Sequence, residues 1–198
     1  MRHLIVAVHP RRRSFNRSVV NAYRGALEEA GHKVECRDLY AMKFAPLLTT
    51  RDVGITPGRR PPRDVAREQA AIRRANVITF VAPLWWSGVP AMLKGYLDRV
   101  FCAGFAYVID KQGNYRPAAL KGKRATIVIT SGATTAELRA GGTLKAIQNI
   151  YGGLLQFCGV KVLGQLYLTG IEPGMSRHDG ERHLAAVRQF TRRTFKLT

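Results

Sequence analysis

Carboxylates are scarce in this chain: 13 Asp and Glu stand against 32 Lys and Arg in 198 residues, a formal net charge of +19. No carboxylate pair is evident, which argues against glycosidase-type acid–base chemistry. Cysteine is scarcer still. Cys36, Cys102 and Cys158 are far apart and odd in number, form no C-x-x-C and have no histidines at zinc-finger spacing. They read as reduced residues of a cytoplasmic core, and neither a disulfide framework nor a metal site is expected. No apolar run approaches the ~18 residues of a membrane span. The amino terminus, MRHLIVAVHPRRR, has a short apolar core followed by arginines and lacks a small-residue cleavage site, so it reads as a first strand. G-x-G-x-x-G and G-x-x-x-x-G-K-[ST] are both missing, which removes the Rossmann and P-loop nucleotide sites.

What remains is 46% apolar and 9% aromatic, too much for a disordered basic tail. At roughly 150 residues per domain, the length predicts one domain over 1–198. The cations are dispersed. Arg59, Arg60 and Arg63 lie on a Pro-rich loop, Arg73 and Arg74 on an amphipathic segment, and Arg192 and Arg193 near the C-terminus. They form no single stripe, and basic-helix, zinc-finger and RNP-type signatures are absent, so specific nucleic-acid binding is not expected. An acidic protein or an anionic membrane surface suits such a charge.

Short apolar runs alternate with longer amphipathic ones, the pattern of an α/β fold. The runs at Leu4 to Val8, Lys33 to Leu39, Val77 to Val81, Thr126 to Ile129 and Val160 to Leu168 read as buried strands, the second at an edge. Val19, Val20, Tyr23, Leu27 and Ala30 recur at helical spacing, with Ser14 or Asn16 as cap and Gly31 as stop. Further stripes lie on Arg63 to Ala75 after Pro61 and Pro62, and on Met92 to Val100 after Pro90. Leu144, Ile147, Ile150, Leu154 and Leu155 make another, and Leu184, Val187 and Phe190 the last. Stretches 40–62 and 101–123 stay irregular, long enough for binding loops. Five strands with crossover helices on both faces predict a doubly wound parallel sheet.

Ligands of such sheets bind beyond the carboxyl ends of the strands, which directs attention to HPRRRSFN (His9 to Asn16), PLWWSGVP (Pro83 to Pro90) and TSGA (Thr130 to Ala133). The first loop enters a helix N-terminus, a place for an anion: Ser14, Asn16 and Ser18 supply donors and Arg11 to Arg13 charge, unless it is only a capped, solvated turn. In the second loop the two tryptophans point in different directions. At least one is expected near the surface, ready for a planar ligand, unless it folds back onto the neighbouring helix. The third loop allows close backbone approach, and its N–H groups suit a developing negative charge. Phosphate anchor, aromatic wall and donor rim together fit a flavin nucleotide, which carries its own hydride chemistry. His3, His32, His178 and His183 have no partner at ligand spacing and read as structural or solvated.

These loops, with DLYAMKFAPLLTTRD (Asp38 to Asp52), the extension of the second to Phe101, and GFAY (Gly104 to Tyr107), resemble the flavodoxin-fold NAD(P)H:quinone oxidoreductase family. That is the DT-diaphorase group with its modulator-of-drug-activity and Kef-ancillary relatives. The matches follow the family's order over most of 1–135; YGGLLQFCGV (Tyr151 to Val160) matches more loosely. The resemblance implies a flavodoxin-like sheet of strand order 2-1-3-4-5 and a cytoplasmic homodimer. It implies a two-electron ping-pong reductase using NAD(P)H and a quinone-like acceptor. His9, Ser14, Phe15 and Asn16 would hold the flavin phosphates and ribityl chain, Pro83, Leu84, Trp85 and Trp86 the isoalloxazine edge, and Thr130, Ser131, Gly132 and Ala133 its pyrimidine side. Tyr107 would reach the substrate side across the dimer. FAD is favoured, FMN being used by shorter members, and an azo or nitro compound is the alternative acceptor. A regulatory flavoprotein subunit on a cytoplasmic transporter domain is the rival reading. Where the best-known members carry a Tyr and a His, this chain reads TTAELRAGGTLK (Thr134 to Lys145). The N–H groups of Gly132 and Ala133 are therefore expected to stabilise the reduced flavin.

Overall fold

The computed structural model describes residues 1–52 and 60–197. Arg59 and the middle of the 40–62 stretch lie outside the described residues. The chain runs β1 (Arg2–Ala7), α1 (Phe15–Glu29), β2 (Lys33–Asp38), α2 (Arg63–Arg74), β3 (Val77–Pro83), α3 (Ala91–Val100), β4 (Tyr107–Ile109) and β5 (Tyr115–Pro117). It continues through β6 (Arg124–Thr130), α4 (Thr135–Ala140), α5 (Thr143–Phe157), β7 (Lys161–Leu168) and α6 (Arg177–Phe195). Five strands pair in parallel in the order β2-β1-β3-β6-β7. Counting sheet strands alone, this is the expected 2-1-3-4-5, with β2 at an edge.

Alternation within the strands builds two cores. Leu4 and Val6 of β1 face the layer of α2, α3 and α5, where Ile72, Leu93, Tyr96 and Leu155 are buried. Ile5 and Ala7 face α1 and α6 with Tyr23, Leu27 and Val187. Each fully buried Leu or Ile contributes roughly 1.5–3 kcal/mol. Tyr23 Oη reaches across the second core to Thr126 Oγ1 (2.7 Å) and accepts from Thr79 Oγ1 (3.2 Å). Burial pushes its pKa up to about 12.

The segment after β2 is strapped to α3. A Cβ at Gly95 would lie 2.0 Å from the Pro46 carbonyl oxygen, so only glycine allows that crossing. Next to it the guanidinium of Arg99, its side chain 5% exposed, donates to Asp52 (3.0 Å), Asp64 (2.5 Å) and the Ala45 carbonyl (2.7 Å).

Several expectations are corrected. The 101–123 stretch contains the antiparallel β4–β5 hairpin, and α4 precedes the expected helix, closed by a reciprocal capping box between Thr134 and Glu137. Ile150 is 59% exposed rather than inward, because the inward face of α5 runs through Ile147, Tyr151, Leu154 and Leu155 and leaves Ile150 at its margin. All three thiols are free, and only Cys158 is fully buried. Of the two readings given for His3, structural or solvated, it takes the structural one: it is buried, its ring stacked on His32 and edge-on to Phe195.

Candidate active site

The carboxyl ends of β1, β3 and β6 open into a cleft of about 370 Å³ whose walls include His9, Arg11, Arg13, Ser14, Phe15 and Asn16. That volume is in the range of ligand sites. Pro83, Leu84 and Trp85 form a second wall and Thr130, Ser131 and Gly132 a third. All three loops picked out in the sequence therefore converge.

The first wall is the start of α1. Ser14 is the N-cap: its Oγ accepts from Arg17 N–H (3.3 Å). Among the described residues the N–H groups of Phe15 and Asn16 meet no acceptor, as expected of a helix first turn, where the positive dipole end also lies. Asn16 is not a cap. Only 6% exposed, it donates through Nδ2 to Thr130 Oγ1 (2.8 Å) and leaves Oδ1 buried without a partner. A buried orphan acceptor costs roughly 1–3 kcal/mol, and this one stands in the cleft wall. Arg11 and Arg13 make that wall positive, with Glu172 the one carboxylate among the lining residues.

His9 Nδ1 lies 3.1 Å from the Arg11 amide. The same Nδ1 lies 3.3 Å from the Arg11 carbonyl oxygen, so the Arg11 backbone holds this face of the ring and leaves Nε2 to face other partners. Burial, assisted by the Arg11 charge, holds this imidazole below its ordinary 6.5, so it is neutral at pH 7. Its ring packs edge-on against Trp85, centroids 6.0 Å apart.

The second wall depends on a two-residue turn. Trp85 and Gly88 exchange N–H···O bonds of 2.9 Å, and Trp86 (φ 50) and Ser87 (φ 57) both take left-handed backbone. Non-glycine residues there cost about 1–2 kcal/mol each. The turn sends the two rings apart: Trp85 lines the cleft, whereas Trp86 is fully exposed outside it.

In the third wall Leu84 N–H donates to the Thr130 carbonyl (2.7 Å) and Ser131 N–H to Leu168 (2.8 Å), so both are engaged. Among the described residues the amides of Gly132 and Ala133 have no acceptor. Gly132 is exposed in the cleft and Ala133 is half-buried beside it.

Ser18 lies farther along α1 and does not line the cleft. Tyr107 is also elsewhere, on the hairpin, packed with Tyr115 and Phe157 at centroid distances of 5.5 Å each. Sequence reasoning missed Ile171, Glu172 and Pro173, which complete the wall. They follow β7, and the rule that directed attention to the other strand ends extends to this one.

A model of the flavodoxin-like fold family matches residues 1–191. An uncharacterized NAD(P)H oxidoreductase of Haemophilus influenzae is 37% identical over 163 residues, covering 81% of this chain and 80% of that one. Human ribosyldihydronicotinamide dehydrogenase [quinone] is 36% identical over 182 residues, 81% of this chain and 78% of its own. The structure of an NAD(P)H:quinone oxidoreductase from Methanothermobacter marburgensis superposes with a TM-score of 0.87 at 34% identity, covering 97% of this chain and 96% of that one.

Proposed function

The chain belongs to the flavodoxin-like fold family, and on that premise we propose that it works as a flavin-dependent NAD(P)H:quinone oxidoreductase, with FAD bound in the cleft and a quinone-like flat acceptor. The observation that carries this reading is the meeting of an arginine-lined helix start, the Trp85 ring and the unengaged Gly132 amide around one opening, with Ala133 next to it in the chain.

The wall fits a flavin nucleotide on its own terms. Free first-turn amides with Arg11 and Arg13 suit a diphosphate, which favours FAD over FMN. The orphaned Asn16 Oδ1 is an acceptor of the kind a ribityl hydroxyl needs. His9, held neutral, can offer Nε2 to the flavin without placing a further charge, and Ser14 and Phe15 complete this end. Pro83, Leu84 and Trp85 supply the flat apolar side, and Trp86 stays outside it.

When bound, the flavin supplies the two-electron hydride chemistry that links NAD(P)H oxidation to quinone reduction. The chain's part is positioning and electrostatics. The unengaged Gly132 and Ala133 N–H groups would supply fixed dipoles where negative charge develops, a role worth roughly 3–4 kcal/mol for one such donor. Thr130 spends its hydroxyl on Asn16 and so locks the first wall to the third.

A second copy is the proposed cover for the hairpin face. Ile109 and Tyr115 are each 57% exposed and Phe157 48%, an apolar patch in which Ile109 pairs with Tyr115 and Tyr115 packs on Phe157. Tyr107 lies outside its own cleft, which suits a contribution to the cleft of that second copy.

Gly132→Pro tests the donor role. It removes one N–H, and we expect it to slow flavin bleaching by NAD(P)H in stopped flow roughly 100-fold while the flavin stays bound. An unchanged rate with retained flavin removes Gly132 from catalysis.

A further inference from the structure

The fold gathers cations that the sequence keeps apart. Each of four sheet strands begins on a basic residue: Arg2 (β1), Lys33 (β2), Arg124 (β6) and Lys161 (β7). The register sets Arg2 directly beside Lys33 and Arg124 beside Lys161. Adjacent strands are only ~4.8 Å apart, and like charges side by side weaken a sheet.

Helix ends add to the same pole. α2 finishes on Arg73 and Arg74 and is held there by Lys123 Nζ, which donates to the carbonyls of Arg73 (3.0 Å) and Ala75 (2.6 Å). On the other face, α6 finishes with Arg192, Arg193 and Lys196. Its Phe195 stands edge-on to His3, one residue into β1. The nearby carboxylates are already engaged: Glu35 with Arg74 (3.1 Å), Glu29 with Arg192 (3.0 Å) and Glu28 with Arg24 (2.7 Å). Among the described residues, Arg2, Lys33, Lys161 and Arg193 are exposed and pair with no carboxylate.

We propose that this amino-end pole docks the protein peripherally on an anionic bilayer surface. The cations come from all three layers, α2, the sheet and α6, and so spread in two dimensions. A nucleic-acid site would more naturally concentrate them in a stripe, whereas an anionic leaflet is a broad charged plane that attracts basic residues within a Debye length. No helix among the described residues is long and apolar enough to cross a membrane, so the attachment is electrostatic. It also leaves the cleft, at the opposite ends of the strands, facing away from the bilayer and open to solution. The inference does not depend on what the cleft binds.

The test is co-sedimentation of the full chain with vesicles of phosphatidylcholine alone or with one third phosphatidylglycerol, at low and high salt. The protein should pellet only with the anionic vesicles and be released by ~0.5 M salt, where the Debye length is only a few ångströms. The variant Arg2→Gln, Lys33→Gln, Lys161→Gln, Arg193→Gln changes only exposed side chains remote from the cleft. At about five-fold per removed cation, it should partition several hundred-fold more weakly, with a thermal midpoint no lower than the parent's because like-charge neighbours are removed. Equal partition of variant and parent overturns the proposal, as does failure to pellet with anionic vesicles. So does salt-sensitive retention on duplex DNA without vesicle binding, which would give the pole a nucleic-acid partner.

Discussion

Removing the Arg99 guanidinium should cost more than removing any surface charge of this protein. Arg99→Met keeps the aliphatic packing on α3 but deletes the donors to Asp52, Asp64 and the Ala45 carbonyl, and the cation 5.3 Å from the Phe44 ring centroid. The Asp52 side chain is 1% exposed. It would keep hydrogen bonds from Thr49 N–H (2.8 Å) and Oγ1 (2.6 Å) but lose its counter-charge. Breaking one partner of a buried pair costs roughly 3–5 kcal/mol, against about 0–1 for an exposed pair such as Lys94–Asp98. Burial alone would raise the Asp52 carboxyl; the Thr49 and Arg99 hydrogen bonds outweigh it and hold the group below 3.8. In the parent, therefore, its ionised form stabilises the fold above pH ~4, and that stability is lost as pH falls through the lowered folded value. In the variant Arg99's share of that opposition is gone while the Thr49 hydrogen bonds remain, so the carboxyl rises from its parent value and acidification relieves part of the strain. Urea unfolding at pH 7 should show the 3–5 kcal/mol gap, and at pH 4.5 a smaller one. Adding Asp52→Asn to Arg99→Met should recover part of the loss. A gap under ~1 kcal/mol at pH 7, or no recovery in the double variant, refutes the account.

Asn16→Leu removes both the donor to Thr130 and the orphaned oxygen. Flavin affinity, measured by fluorescence quenching, should fall at least ten-fold while the unfolding midpoint changes little; unchanged affinity takes Asn16 out of the cofactor site. His3 is held neutral by burial first, then by His32, the amino terminus and Arg124, its pKa lowered from 6.5 to about 3. The unfolded chain thus binds the extra proton below pH 6.5. Relative to His3→Phe, the parent should lose roughly 2 kcal/mol between pH 7 and pH 5, and parallel stability profiles would contradict the burial argument.

The strands were legible because sheet burial on both faces leaves near-continuous aliphatic runs, as in Ile78 to Ala82. The helix stripes were legible because Val19, Tyr23 and Leu27 must meet one face of that sheet. Short elements were not. The β4–β5 hairpin has three-residue strands around a polar turn at Gly113, too brief for a period to register. The helix α4 did carry a start signal in Thr134 and Glu137, but the glycine pair that follows reads as loop. Within the site, sequence spacing placed the three loops at the strand ends but left Asn16 and Ser14 as rival caps. The choice rests on Thr130, 114 positions away. The cationic pole was illegible for the same reason: Arg2, Lys33 and Lys161 become neighbours only through strand order and register.

The most direct test of the central claim is a visible absorption spectrum of the purified protein, with mass analysis of the small molecule released on denaturation. Bands near ~375 and ~450 nm that bleach with NAD(P)H and return with a quinone, together with the mass of FAD, are the predicted result. A colourless protein that binds neither FAD nor FMN after reconstitution would contradict it.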